Sequence, residues 1–179
     1  MSKLERKTKE TTIVAEVRVG DGPSDVVIDD RFLEHMVQTL ARYASLEIEM
    51  KATGDLRHHL VEDVAIVLGQ ALKEEIPEGI ARFGSGLIPM DEALAQAAID
   101  VGGRPYYVGK LPSKLYTHFL HSFATNLGAT LHVKVLRGTD RHHMIEAAIK
   151  ATGVALRQAL AERDEVFSTK GAVHQERLD

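Results

Sequence analysis

The sequence predicts an α+β protein made of two copies of one half-domain, each a small, mostly antiparallel sheet covered by two helices. Three observations carry this. The stretch "HHLVEDVAIVLGQAL" at 58–72 is echoed by "HHMIEAAIKATGVAL" at 142–156, so His-His-x-x-Glu opens two helical segments 84 residues apart. The strand-like "SLEIEMKATGD" and "TLHVKVLRGTD" precede them, setting Leu46 against Leu131, Ile48 against Val133 and Asp55 against Asp140. A further helical stretch precedes each strand and carries one histidine, His35 or His118, 23 and 24 residues before the respective pair. A helix, a strand, a loop and a helix are therefore duplicated, which divides the chain into halves at 1–84 and 85–179 within one compact unit.

Taken in order, "TTIVAEVRV" and "SDVVID" are alternating or branched apolar runs separated by the Gly-Pro turn "GDGPS", and they read as a hairpin. In "RFLEHMVQTLARYA", Phe32, Leu33, Met36, Val37 and Leu40 fall at helical spacing, and "SLEIEMKA" returns to a period of two. From Val61 to Ile76 apolar residues recur at 61, 64, 65, 68, 71 and 72, until Pro77 and Gly79 stop the helix. The second half carries short strands around a Gly-Gly-Arg-Pro turn, then the helix "HFLHSFATNLG", the strand "ATLHVKVLRGTD" and a helix from about His142 to Ala161. The polar tail from about residue 164, "DEVFSTKGAVHQERLD", is expected to be partly mobile.

Composition narrows the class. The 179 residues are 44% hydrophobic and 27% charged, and no apolar run approaches the ~20 residues of a membrane helix. "MSKLERKTKE" has no apolar stretch behind it, so no secretory signal is expected, and the absence of cysteine excludes thiolate ligands and disulfides. A cytoplasmic setting follows. The net charge of −4, with basic and acidic residues interspersed, gives no attraction to nucleic acid.

The repeated motif carries chemistry. Residues three and four apart share a helix face, which places Glu62 beside both His58 and His59, and Glu146 beside both His142 and His143. Two imidazoles and a carboxylate suit Mn, Fe, Zn or Ni. A single such motif is ordinarily a solvated helix start. Its recurrence at equivalent places, with His35 and His118 at matching offsets, argues for two metals, one per half. His121, His132 and His174 have no counterparts.

At these residues the sequence resembles the imidazoleglycerol-phosphate dehydratase family of histidine biosynthesis. The resemblance runs through "TKET", "FLEHM", "HHLVEDVAIVLGQAL", "GIARFG", "PMDEAL", "GRP", "HFLHSFA", "TLHV", "HHMIEAAIKA" and "STKG", in the family's order. It implies a hydro-lyase with two Mn²⁺ per active site, in a fold of two similar half-domains. It also implies homo-oligomers in which trimers assemble into a 24-subunit shell with active sites at subunit boundaries. The implied ligands are His35, His58, His59, Glu62, His118, His142, His143 and Glu146. Glu10 of "TKET" matches the catalytic glutamate and Asp91 of "PMDEAL" a polar residue near the substrate, with His35 completing the catalytic set. The implied substrate-binding residues are Arg82, Arg104, Lys150, Ser168 and Lys170, two guanidiniums and two ammoniums that suit a phosphate monoester.

The chemistry gives two metals a purpose. No carbonyl acidifies the hydrogen that must leave, so the imidazole ring must supply the electrons that expel the hydroxyl. Cations at both ring nitrogens would stabilise an imidazolate, and Glu10 as general base would then take the proton from the neighbouring carbon, giving an enol that becomes imidazole acetol phosphate. There are departures from the family. Leu56 and Arg57 replace an acidic pair before His58 in a loop shorter by two or three residues, leaving Asp55 as the candidate to orient a ligand. His121 stands where Glu is common, Tyr43 where His is common, and Gln38 and Thr39 near a phosphate-holding Gln.

The alternative readings are a non-catalytic metal-binding shell, or a paralogue acting on another phosphorylated imidazole. A zinc hydrolase lacks its His-Glu-x-x-His, and a ferritin-like di-iron bundle would need Glu-x-x-His on long facing helices.

Overall fold

A computed structural model describes residues 2–77 and 79–163. The chain runs β1 (Ser2–Lys7), β2 (Thr11–Val19), β3 (Asp25–Ile28), α1 (Arg31–Ala44), β4 (Leu46–Gly54), α2 (Arg57–Glu74), β5 (Phe83–Met90), β6 (Ala93–Val101), β7 (Tyr106–Gly109), α3 (Lys114–Leu127), β8 (Ala129–Arg137) and α4 (Arg141–Ala159). Two four-stranded sheets form, ordered β1-β2-β4-β3 and β5-β6-β8-β7. In each, two pairings are antiparallel and the last is parallel. The fold is α+β with a repeated half-domain. The first sheet lies in 2–54 and the second begins at Phe83, so the division at 84/85 falls two residues inside β5.

The hairpin expected between "TTIVAEVRV" and "SDVVID" does not form. β2 and β3 instead flank β4, β2 antiparallel and β3 parallel to it. In β4, Leu46, Ile48, Met50 and Ala52 are all buried, the pattern of a central strand, and α1 supplies the crossover that a parallel β3–β4 pair requires. β1 pairs with β2 and offers only Leu4 as an apolar residue, which suits an edge.

Caps fix the repeat. Asp30 accepts from Leu33 N–H at the start of α1, and Ser113 holds the same place before α3. Those helices end at Ser45 (φ 53°) and Gly128 (φ 76°), both left-handed, which lets the chain turn directly into β4 or β8. Both pairs are 83 apart, so Leu46 corresponds to Ala129 and Ile48 to Leu131. The pairing of Leu46 with Leu131 drawn from sequence slips by two residues. An even slip keeps every side chain on its face, which is why the hydrophobic pattern did not reveal it.

The four helices are held between the two sheets. α1 and α2 pack on the first sheet, α3 and α4 on the second, while α2 meets α3 and α1 meets α4 across the middle. The core is formed by the inward residues of both sheets with the helix faces, among them Ile13, Ile48, Leu68, Phe119, Phe123 and Ile149. Crossing contacts of this kind bring residues of one half onto the helices of the other. No described helix is long and apolar enough to cross a membrane.

Candidate active site

The α1–α4 contact joins His35 to the start of α4. His35 Nε2 lies 3.3 Å and His142 Nε2 3.1 Å from the same oxygen, Oε2 of Glu146. The α2–α3 contact repeats this on the other side, with His58 Nε2 3.7 Å and His118 Nε2 3.3 Å from the carboxylate of Glu62. Within each set the three candidate ligand atoms lie inside 4.8 Å of one another. The metal per half-domain expected from sequence is thereby revised: each set takes two ligands from one half and a histidine from the other.

These donors suit a divalent transition metal, being two neutral-capable imidazoles and a carboxylate. His118 Nε2 is buried and makes no hydrogen bond of ordinary geometry, an atom left for a further partner. Glu146 is the more enclosed carboxylate. Burial opposes its charge, but hydrogen bonds from Lys150 Nζ (2.7 Å) and from His35 outweigh it and hold the carboxyl below the usual range. Lys150 in turn stays charged and lies 5.5 Å from the Tyr43 ring centroid.

His59 and His143 do not join Glu62 and Glu146, as helix spacing had suggested. Adjacent helix positions are about 100° apart, and each second histidine turns toward a strand turn and its carboxylates. His59 Nδ1 is 2.9 Å from Asp55 and 3.6 Å from Glu10. His143 Nδ1 is 2.8 Å from Glu92, and its Nε2 is 3.6 Å from Asp91. Hydrogen bonds to Asp55 and to Glu92 raise the imidazole pKa of His59 and His143 respectively. Glu92 itself is held far below the carboxylate range by Asp140 N–H, then by His143 and Thr139 N–H.

Glu10 and Asp91 thus occupy equivalent places, the β1–β2 and β5–β6 turns, each facing the second histidine of a pair. The turn bearing Glu10 is braced by a network in which Arg6 Nε (2.8 Å) and Thr11 Oγ1 (2.5 Å) donate to the buried Asp63. Asp55 N–H also donates to the Glu10 carbonyl.

Two basic residues lie elsewhere. Arg82 is ion-paired to Asp100 at 2.6 Å, and its backbone N–H bonds Ala159 O at the far end of α4. His142 is 17 residues earlier on that helix, about 26 Å away at 1.5 Å per residue. Arg104 sits at the same end, its carbonyl accepting from Thr130. Ser168 and Lys170 fall outside the described residues. Gln38 donates to the Val26 carbonyl at 3.5 Å, and Thr39 is buried one helical turn beyond His35 on α1. The His121 ring lies 5.9 Å from the Tyr107 ring and 6.3 Å from that of His118, tilted to both. Sequence reasoning passed over Glu92, although it adjoins Asp91 in "PMDEAL" and its spacing from His143 follows no helical or strand period.

A family profile described as imidazoleglycerol-phosphate dehydratase matches residues 29–156. The chain belongs to the imidazoleglycerol-phosphate dehydratase family. It is 43% identical to a Clostridium botulinum protein of that name over 97% of this chain and 98% of the other. A Methanosarcina mazei protein of the same name is 44% identical, over 97% and 99%. Among solved structures, the Pyrococcus furiosus dehydratase superposes with a TM-score of 0.85 at 40% identity, covering 95% of this chain and all of that one. The Staphylococcus aureus dehydratase gives 0.80 at 30% identity over 91% of this chain. The family is one of hydro-lyases in histidine biosynthesis, and the chain is an enzyme of that class.

Proposed function

We propose that the protein dehydrates imidazoleglycerol phosphate to imidazole acetol phosphate, using two divalent metal ions held by the His35/His142/Glu146 and His58/Glu62/His118 sets. The observation that carries this is the pair of matching His₂Glu sets, each with its three candidate ligand atoms within 4.8 Å of one another. Mn²⁺ is the metal implied by family resemblance, and the donor set suits it along with Fe, Co or Zn. When bound by these two sets, the cations would supply Lewis acidity that favours loss of the substrate's ring N–H proton, and the deprotonated ring is electron-rich enough to help expel the adjacent hydroxyl.

The chain's own residues do the rest. Glu10, beside His59 and fixed by its turn, takes the proton from the neighbouring carbon, and the resulting enol tautomerises to the ketone. Lys150, one helical turn from Glu146, reaches toward the phosphate end of a substrate at that set. Arg82 and Arg104 lie too far along the fold to serve their own chain's metal sets, which supports active sites completed between copies. His59 and His143, both with Nδ1 satisfied, supply the remaining ligands across the same boundaries. The outer face of the second sheet, where Phe83, Leu87, Tyr106 and Val108 are exposed, supports self-association into the trimers and shell that the resemblance implies.

The test is turnover of imidazoleglycerol phosphate by metal-stripped protein with and without Mn²⁺. Manganese-dependent product formation is expected, with Glu10→Gln keeping metal content and assembly while losing at least about 100-fold in rate. A metal-loaded, assembled protein without turnover would instead be a binding shell or act on another phosphorylated imidazole.

A further inference from the structure

The second histidine of each pair has a carboxylate of its own, and the two carboxylates are built differently. In the second half, Glu92 divides its labour between its oxygens. Oε1 accepts from Thr139 N–H (3.0 Å), Asp140 N–H (2.7 Å) and the Thr139 hydroxyl (3.3 Å), while Oε2 faces His143 Nδ1 at 2.8 Å. In the first half a single oxygen, Oδ1 of Asp55, accepts from Leu56 N–H (2.6 Å) and faces His59 Nδ1 at 2.9 Å. A carboxylate only accepts, so each places the proton on Nδ1 and leaves Nε2 as a lone-pair donor.

We infer that Glu92 and Asp55 are positioning residues that fix the tautomer and aim of His143 and His59, and so set the metal affinity of the centres those histidines complete. This rests on the two-metal reading above and adds to it which residues hold the last ligand of each centre. Loss of such an orienting partner ordinarily weakens metal binding about 10- to 100-fold.

The different wiring gives the two carboxylates different responses to the same amide substitution. In Glu92→Gln the amide oxygen must stay with its three donors, so the NH₂ faces His143. Nδ1 then becomes the acceptor, the proton moves to Nε2, and the donor atom is blocked. In Asp55→Asn one oxygen still satisfies both Leu56 and His59, and the tautomer is kept. Asp55→Ala removes the acceptor altogether.

The experiment titrates Mn²⁺ into full-length, metal-stripped wild type, E92Q, D55N and D55A by calorimetry, with bound metal counted after dialysis and folding of each apo protein checked by circular dichroism. Wild type is expected to hold two Mn²⁺ per chain. E92Q and D55A should each weaken one equivalent by about 10- to 100-fold and leave the other, while D55N stays within about twofold of wild type. Wild-type affinity in both E92Q and D55A would overturn the inference while leaving the two-metal reading standing, and loss in one alone would remove the other residue. Equal loss in D55N and D55A would overturn the tautomer argument. A wild type that binds no Mn²⁺ would sink the two-metal reading and this inference with it.

Discussion

The two histidine sets descend from one repeated segment, yet they are not equivalent environments. The Glu146 carboxylate is 7% exposed and answers to three partners, His35, His142 and the ammonium of Lys150 one turn further along α4. The Glu62 carboxylate is 38% exposed, and the place of Lys150 is taken in α2 by Ile66. The repeat carries two His₂Glu sets, and only one of them has a lysine ammonium paired with its carboxylate. On the function proposed above, the difference teaches that the pseudo-symmetry would serve the symmetric part of the substrate, a ring with two nitrogens, while the asymmetric part would be met by residues lacking a counterpart.

The largest effect separating the two sets should come from removing their carboxylate charges. Both Glu146→Gln and Glu62→Gln are expected to lose one metal equivalent and turnover. In metal-free protein they should part company. Glu146→Gln leaves the half-buried Lys150 ammonium without its counter-charge and should cost about 2 kcal/mol, whereas Glu62→Gln, at a solvated position, should stay within about 0.5 kcal/mol of wild type. Denaturant unfolding of the stripped proteins measures this, and equal losses would show that the sets are energetically alike after all.

A smaller effect of the same asymmetry appears with pH. Burial raises the pKa of Glu146 and its hydrogen-bond partners more than reverse this, so its folded pKa lies below the unfolded value. Its contribution to stability is therefore present above the unfolded pKa of about 4.3 and is lost as pH falls through the folded value. Lys150→Met leaves burial less opposed, and the acid-side loss should begin at higher pH. Thermal melts of the stripped proteins between about pH 6 and about pH 3 check the order; coincident profiles would mean that the imidazoles alone hold the carboxyl down.

Much of this was legible in the sequence because it depends on local periodicity. The spacing of Leu33, Met36, Val37 and Leu40 states a helix, and His35 and His118 stand at equivalent steps of equivalent helices. What was illegible depends on which elements meet. Nothing in "TTIVAEVRV" says that its neighbours are β1 and β4 rather than β3, and β1 itself is a charged segment that becomes a strand only by pairing. Likewise, helix geometry puts His59 within reach of Glu62 and His143 within reach of Glu146, but Asp55 and Glu10 compete for the first and Glu92 for the second, and a one-dimensional pattern does not contain that competition. The partner of Glu146 in α1 arises from a contact between halves, which no spacing within either half encodes.

The smallest expected contrast lies at the first turn of the two motif helices. Asp140 caps α4, its carboxylate accepting from His142 N–H at 2.6 Å and His143 N–H at 3.2 Å. Leu56 holds the same place before α2, with no side-chain bond to the helix and its apolar side chain exposed. The connection from β4 is one residue shorter than that from β8, so Asp55, the acidic residue nearest α2, falls one position too early to cap and is spent on Leu56 N–H and His59 instead. Asp140→Ala should therefore cost about 1 kcal/mol, while Leu56→Asp should add up to about 1 kcal/mol by satisfying a free N–H at the positive end of the helix dipole. If the Leu56 substitution destabilises instead, the acidic crowding of Glu10, Asp55 and a new carboxylate around His59 outweighs the cap, and Leu56 is there to keep a third negative charge away from that histidine.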